Sequence, residues 1–223
     1  MLLIQDIHVS ANTYLKPPLS SELGARIVTK GILLLKHLGL EDFTFKKLAE
    51  EIGSSEASIY RYFANKHMFF VFISNLYWNW LEKQIRDMAY NTSHPQARLE
   101  HAVDIIVSPE YLKNTSEFPM LELHEIVLSE GPKAYLVKGV DDENREGTFR
   151  AYKALCQSLA DIINILNPSY AFAHSLSSTV IEAAHAQLFF SAHLPRLTDI
   201  NANDSEQLKA FLVELITRSI NPT

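Results

Sequence analysis

The chain has 223 residues, of which 47% are hydrophobic, and it carries a formal net charge of −6 at pH 7. This length and composition are typical of a folded protein with one or two domains, and they exclude a chain that is disordered throughout. The single cysteine, Cys156, excludes an intrachain disulfide and favours a reducing compartment. The first ten residues lack the basic and apolar regions of a signal peptide, and no segment has the roughly 20 apolar residues that span a bilayer. We therefore expect a cytoplasmic protein without a membrane partner.

The first 66 residues predict an arm followed by three helices. Residues 1–19 show no sustained hydrophobic period and end in two prolines, which predicts a flexible N-terminal arm. Ser20 or Ser21 can cap a first helix that ends at Gly39. A second helix follows Thr44, whose hydroxyl can accept a hydrogen bond from a helical N–H. Its buried stripe recurs at helical spacing and consists of Phe45, Leu48, Ala49 and Ile52.

A tight turn joins this second helix to a third one. Gly53 can adopt the left-handed conformation that ends a helix, and Ser54 or Ser55 can cap the next helix. In that helix Ile59 and Phe63 face inward. The residues left on its outer surface are Glu56, Ala57, Ser58, Tyr60 and Tyr62. Two short helices joined in this way are the layout of a DNA-binding helix-turn-helix.

Residues 20–66 resemble the DNA-binding domain of the TetR/AcrR family of bacterial transcriptional regulators. The residues that match the family pattern are Thr44, Leu48, Ala49, Gly53, Ser55, Ile59, Tyr60, Tyr62, Phe63 and Lys66. Ser54 and Ala57 stand where valine and glycine are common in the family, but both are small and compatible with a helix. The resemblance implies a ligand-responsive repressor that binds a near-palindromic, double-stranded DNA operator as a homodimer.

The resemblance also assigns roles to individual residues of the helix-turn-helix. It implies that the DNA backbone is contacted by Thr44, Tyr60, Tyr62 and Lys66. It places Glu56, Ala57 and Ser58 nearest the base edges, with Phe45 also where bases would be read, and it includes Ser55 among the DNA-binding residues. Phe45 departs from the polar residue that some members use there, and the Glu56 carboxylate suits only the amino group of cytosine. The operator sequence is therefore left open.

Charge is unevenly distributed along the chain. Residues 20–66 contain seven Lys/Arg and six Asp/Glu, a balance of +1, whereas the other residues contain 13 and 20, a balance of −7. Phosphate contacts normally dominate DNA affinity. A balance of +1 therefore predicts modest affinity for one subunit, which dimerisation would increase.

For residues 67–223 the helical spacing and the family resemblance predict a helical regulatory and dimerisation domain, so we expect the whole chain to be all-α. Its first part, residues 67–90, is a long apolar connecting helix. Further helical patterns cover residues 96–107, 116–130, 143–166, 169–193 and 205–220. The family resemblance implies dimerisation through the last two helices. The residues that suit close helix contact there are Ala183, Ala184, Ala186, Leu188, Phe189, Phe190, Ala192, Phe211, Leu212, Leu215 and Ile216.

The resemblance further implies a cavity for a small, partly apolar effector in this domain. Candidate lining residues combine aromatic bulk with hydrogen-bonding groups, and they are Tyr111, Phe118, His124, Tyr152, Phe172 and His185. The alternative is a helical small-molecule- or metal-binding protein whose N-terminal domain no longer binds DNA.

Catalytic and metal sites find little support in the sequence. Glu182 and His185 have the i, i+3 spacing of helical di-iron sites, but the chain has no second pair of this kind. Cys156 could act as a nucleophile with His174 or His185 as base, yet no nucleophile signature surrounds it. We therefore expect no catalytic residues, no metal ion and no cofactor.

Overall fold

The computed structural model describes residues 9–108, 118–202 and 204–221, and within these ranges all regular structure is helical. The all-α prediction is therefore confirmed. Among the described residues the α-helices are α1 (Glu22–Asp42), α2 (Phe45–Glu51), α3 (Glu56–Tyr60), α4 (Lys66–Asn91), α5 (Pro95–Val107), α6 (Met120–Glu130), α7 (Val140–Arg145), α8 (Arg150–Leu166), α9 (Ala173–His193) and α10 (Ser205–Ile220). No helix in these ranges is long and apolar enough to cross a membrane.

The chain divides into two compact units. The described part of the first unit covers residues 9–79 and 118–151, and that of the second covers residues 80–108 and 152–221 except 203. Helix α4 begins in the first unit and continues into the second, as does α8. The DNA-binding domain predicted for residues 20–66 thus belongs to a larger unit that also holds α6 and α7.

Phe69, in the first turn of α4, joins the three N-terminal helices to α4. Its ring stacks on Phe43 at 5.3 Å between centroids and meets Phe63 edge-on at 5.1 Å. A Cβ added at Gly31 of α1 would lie 2.4 Å from the Phe69 ring, so only glycine lets α1 approach this closely. Phe69 itself is 0% exposed. The helix-turn-helix is therefore built directly on the start of α4.

The described part of the N-terminal arm is folded onto the first unit, in contrast to the flexible arm predicted for residues 1–19. It contains two short 3-10 helices, Ala11–Thr13 and Pro18–Ser20. The Leu15 amide donates to the Tyr62 carbonyl at 2.7 Å, and the Tyr14 ring meets Phe72 edge-on at 5.9 Å. Sequence periodicity missed this segment because its contacts are made by single residues in irregular backbone.

One helix predicted from the sequence, residues 143–166, is two helices in the structure. The break lies at Gly147, whose φ of +83° belongs to the left-handed region. Three contacts hold the segment around the break to the rest of the first unit. His67 Nε2 lies 3.0 Å from Glu143 Oε1, the Asn75 side chain donates to the Thr148 carbonyl at 2.9 Å, and the Asn12 side chain donates to the Glu146 carbonyl.

In the second unit α10 packs against α5 and α9. Its buried stripe repeats every four residues and consists of Leu208, Leu212, Ile216 and Ile220, all at most 2% exposed. Lys209 Nζ adds an ion pair of 3.5 Å with Asp104 of α5. The second unit therefore has an apolar core of its own.

Lys66 at the start of α4 stabilises the end of α1. Its Nζ donates to the carbonyls of Leu40 and Glu41, both at 3.0 Å, and lies 3.5 Å from the Phe43 carbonyl. These carbonyls lack helical partners, because the last turns of a helix leave such groups unsatisfied. A cation is also favourable at a helix C-terminus.

We therefore expect Lys66→Gln to lower the free energy of unfolding by about 1–3 kcal/mol, the cost of losing hydrogen bonds from a charged donor. Urea unfolding followed by circular dichroism measures this change. Lys46→Gln is the control, because Lys46 is exposed and the substitution makes the same change in net charge. Equal unfolding free energies for the two variants would contradict the role assigned to Lys66.

Candidate functional site

Side-chain caps fix the geometry of the helix-turn-helix. Thr44 Oγ1 accepts from the Lys47 amide and Ser55 Oγ accepts from the Ser58 amide, each at 3.2 Å. Gly53 has a φ of +61°, and nothing lies within 4 Å of a Cβ built there. The backbone conformation, not lack of space, is therefore the reason for glycine at this turn. The capping roles inferred for Thr44 and Ser55 agree with this geometry.

The outer face of α3 presents the residues expected nearest to DNA. Glu56 and Ala57 are exposed, Ser58 is half-buried, and Tyr60 is 46% exposed. The Tyr60 ring packs edge-on against Phe45 at 5.1 Å between centroids. This contact fixes the direction of the partly exposed Tyr60 ring. Thr44 and Ser55, at the two caps, are exposed as well.

Phe45 does not belong to this exposed face. It is 3% exposed, and its ring meets Phe43 at 6.3 Å and Phe69 at 6.4 Å, in addition to Tyr60. This burial argues against the base contact predicted for Phe45, because the ring completes the apolar core beneath the helix-turn-helix. The helical stripe in the sequence had already placed it inward.

Tyr62 is also turned inward, contrary to the outer position predicted for it. It is 4% exposed, and its hydroxyl lies 2.9 Å from Ser21 Oγ at the start of α1. This hydrogen bond, helped by the nearby cations Lys16 and Arg61, lowers the pKa of Tyr62 below its ordinary value. Tyr62 thus ties the end of the helix-turn-helix to α1, and its ring is not an exposed DNA contact.

Two lysines of the N-terminal domain are bound to backbone carbonyls. Lys66 caps α1 as described above, which argues against the phosphate contact implied for it by family resemblance. Lys47 Nζ donates to the Asp42 carbonyl at 2.8 Å. Both cations therefore serve internal contacts at the junction between α1 and α2.

The remaining cations of the N-terminal region differ in whether a carboxylate pairs with them, and the residue pattern had not singled them out. Lys30 pairs with Glu51 at 3.8 Å and Lys36 with Glu125 at 2.6 Å. Arg26, Lys46, Arg61 and Lys16 are exposed and have no carboxylate partner among the described residues. Of these, Lys46 lies on α2 and Arg61 directly follows α3. Their exposure could not be read from composition, because it depends on which neighbours the fold supplies.

Residues 27–71 match the model of the tetR family of bacterial regulatory proteins. The N-terminal domain is that of the TetR family. The matched segment covers α2 and α3 completely, together with most of α1 and the first residues of α4. The resemblance seen in the sequence is therefore confirmed. A sequence search of curated proteins gives no significant match.

Solved structures share the fold, among them two regulators of the tetR family. A regulator from Rhodococcus RHA1 superposes with a TM-score of 0.63 at 16% identity, over 90% of this chain and 97% of that one. PfmR from Thermus thermophilus gives 0.58 at 18% identity, over 86% and 97%. AibR, solved with isovaleryl coenzyme A and operator DNA, gives 0.58 at 14% identity, over 85% and 95%. At such identities the likeness establishes the fold.

The described residues predicted to line an effector cavity are divided between the two units. Tyr111 lies outside the described residues. In the first unit Phe118 is half-buried, and His124 is 3% exposed with its Nδ1 2.8 Å from the Tyr77 hydroxyl. Phe172, in the second unit, is 66% exposed, so it lies at the surface of its unit.

Tyr152 and His185 do lie near each other, around Glu182 of α9. The Tyr152 hydroxyl donates to Glu182 Oε1. Burial lowers the pKa of His185 to about 4, against the opposing effect of Glu182. Burial and the same carboxylate raise the pKa of the Cys156 thiol to about 11. The thiol is therefore protonated near neutral pH, which argues against the nucleophile considered for Cys156.

The outer face of α9 forms an open groove of about 500 Å³. Its lining residues are Ser178, Thr179, Glu182, Ala183 and Ala186. On α10, Phe211 is 43% exposed. Three other residues expected at a dimer surface are 0% exposed and pack inside their own unit instead, namely Ala184, Leu212 and Ile216. The described residues contain no group of three or more His, Cys, Asp or Glu side chains that could hold a metal ion.

The buried His185 predicts a loss of stability in mild acid. Its pKa in the folded chain, about 4, lies below the ordinary value of 6.5, so below pH 6.5 the unfolded chain binds a proton that the folded chain does not. The free energy of unfolding then has its full value above about pH 6.5 and falls by about 3 kcal/mol as the pH decreases to 4. Urea unfolding between pH 7 and pH 4 measures this slope.

His185→Asn removes the titrating group, so the variant should lose about 3 kcal/mol less than the unsubstituted chain over the same pH range. Other acid-sensitive groups are common to both proteins and cancel in the comparison. Parallel pH profiles for the two proteins would show that His185 does not titrate in this way.

Proposed function

We propose that this chain is a DNA-binding transcriptional repressor that acts as a homodimer and is released from its operator by a small-molecule effector. The observation that supports DNA binding most directly is the exposed face of α3, capped by Ser55 and flanked by Thr44 and Tyr60, in a domain that matches the TetR model. Backbone contacts would come from Thr44, Tyr60 and the exposed cations Lys46 and Arg61. Base contacts would come from Ser55, Glu56, Ala57 and Ser58.

The proposed dimer follows from the small number of available contacts. One α3 helix offers few polar side chains, so two copies are needed for useful affinity. Two such helices would enter successive major grooves about 34–36 Å apart on a near-palindromic site. The small residues lining the open groove of α9, with Phe211 on α10, provide a surface for the second copy.

The proposed effector response rests on the covalent continuity of α4 between the two units. A ligand that favours one arrangement of the second unit would act on the first turn of α4, where Phe69 holds the N-terminal domain. A coupling free energy of about 1–3 kcal/mol would change operator affinity about 5- to 150-fold. AibR, whose structure contains both isovaleryl coenzyme A and operator DNA, suggests ligands with acyl groups as first compounds to test.

A second candidate is a helical small-molecule-binding protein whose N-terminal domain no longer binds DNA. The exposed Glu56 carboxylate favours it, because this charge faces the place that phosphates would occupy. The internal bonds of Lys47 and Lys66 reduce the available positive charge further. Failure of the protein to enrich any genomic fragment, together with saturable ligand binding, would establish this candidate.

The proposed DNA surface can be tested with two tyrosines that lie two residues apart. Genomic fragments enriched by the purified protein would first supply a duplex for gel-shift titration. Tyr60→Phe should lower affinity about tenfold or more per dimer, because each subunit loses a donor to a charged phosphate. It should leave stability unchanged. Tyr62→Phe should instead lower the free energy of unfolding by about 1 kcal/mol, because it loses the Ser21 contact.

Tyr170→Phe, in the second unit, is the control for loss of a hydroxyl group. Wild-type affinity in Tyr60→Phe would remove Tyr60 from the DNA surface. A loss of DNA affinity without loss of stability in Tyr62→Phe would show that the Tyr62 hydroxyl contacts DNA.

The dimer surface can be tested by placing charge in the groove of α9. Ala183→Glu and Ala186→Glu should shift the protein toward monomer, since a carboxylate would be buried against the second copy without a partner. Sedimentation velocity at several protein concentrations measures the change. Ala171→Glu is the matched control, because Ala171 is exposed before the start of α9 and outside the groove. Unchanged sedimentation of the groove variants would place the dimer contact elsewhere.

A further inference from the structure

Residues 9–18 form a strap that is held to the end of the helix-turn-helix. The Leu15 amide bonds to the Tyr62 carbonyl at 2.7 Å, and Tyr14 packs against Phe72 of α4. On its far side Pro18 is buried against α1, where a Cβ at Gly24 would lie 2.1 Å from the Pro18 carbonyl oxygen. The strap is thus fixed on both sides of Lys16. Two prolines directly after Lys16 restrict the backbone further.

This anchoring places the Lys16 ammonium beside the end of α3. Its Nζ lies 5.2 Å from the centroid of the Tyr62 ring, a distance typical of a cation–π contact. Lys16 is exposed and has no carboxylate partner among the described residues. Arg61, the residue before Tyr62, is exposed as well. The two exposed cations therefore both lie close to the buried Tyr62 side chain, next to the N-terminus of α1.

The charge distribution around the helix-turn-helix makes Lys16 a strong candidate for a phosphate contact. Residues 20–66 have a balance of only +1, and Lys30, Lys36, Lys47 and Lys66 are engaged by carboxylates or carbonyls. Few cations are left for phosphates. Lys16 is one of them, and it lies outside both the three helices and the segment matched by the family model.

We propose that Lys16, held by the strap, is a DNA-phosphate-binding residue that works together with Arg61 at the end of α3. The inference rests on the proposed DNA-binding function. The Tyr62 ring serves as the platform that keeps the ammonium in place, which explains why a tyrosine whose own hydroxyl is engaged by Ser21 is useful at this interface. The contact is made to the backbone, so it contributes affinity and orientation and no sequence preference.

The test compares the salt dependence of DNA binding in the full-length protein. Anisotropy titrations use the enriched duplex and a scrambled duplex at several salt concentrations. Lys16→Gln should lower affinity about 2- to 25-fold for a dimer that loses two exposed charge contacts. It should flatten the log–log salt slope by about 1.8, since each phosphate contact contributes about 0.9. Both duplexes should be affected alike.

Two further variants separate this role from net charge and from folding. Lys16→Arg keeps the charge and should retain the wild-type slope. Lys138→Gln removes an exposed lysine outside residues 9–66 and should change neither slope nor affinity. Thermal unfolding of each variant shows whether loss of the cation–π contact disturbs the fold. The deciding quantity is the salt slope of DNA binding, measured on folded protein.

The outcomes distinguish this inference from the proposed function. Binding by the unsubstituted protein with an unchanged slope in Lys16→Gln overturns the role of Lys16 alone. An equal loss of slope in Lys138→Gln would also overturn it, since the effect would then be one of net charge. No binding of any duplex by the unsubstituted protein overturns the proposed function and this inference together.

Discussion

The packing of Phe69 is the contact on which the rest of the first unit depends. Its ring lies between Phe43 at the end of α1, Phe45 of α2 and Phe63 after α3. Interiors pack at crystal-like density, so none of these helices can move relative to the start of α4 without opening a void. The glycine in α1 opposite Phe69 belongs to the same constraint, because any larger residue there would displace the ring. The helix-turn-helix and the first turn of α4 therefore share one aromatic core.

Two residues of the family pattern stabilise junctions between helices in this chain. Lys66 and Tyr62 match the pattern, yet their polar atoms satisfy the end of α1 and its N-terminal Ser21. Each side chain makes its hydrogen bonds at a junction between helices, so fewer of its polar atoms are left to contact DNA. In the proposed homodimer, such a domain would make fewer phosphate contacts, and association of two copies would contribute more of the DNA affinity.

Much of this architecture could be predicted from the sequence, because it follows from local rules. The caps at Thr44 and Ser55, the turn at Gly53 and the all-α class depend on side chains and backbone within a few residues. The errors arose where distant residues decide. The sequence shows Lys66 as a cation, and only the fold shows three carbonyls around it. The residue pattern of 143–166 is compatible with a helix on both sides of Gly147, so periodicity could not reveal the break between the two helices.

Under the proposed function, polar contacts inside the first unit would also limit how an effector signal reaches the helix-turn-helix. Glu130 at the end of α6 accepts from the Leu40 amide at 3.3 Å, and Lys133 lies within 3.1 Å of both Glu130 and Glu41. On the other side, the segment that contains Glu143 and Thr148 contacts α4 through His67 and Asn75. These polar contacts have defined directions, unlike the apolar packing around Phe69, so they depend on the exact positions of α6 and of the segment from α7 to the start of α8. The junction thus combines a closely packed aromatic centre with directional polar contacts at its edge.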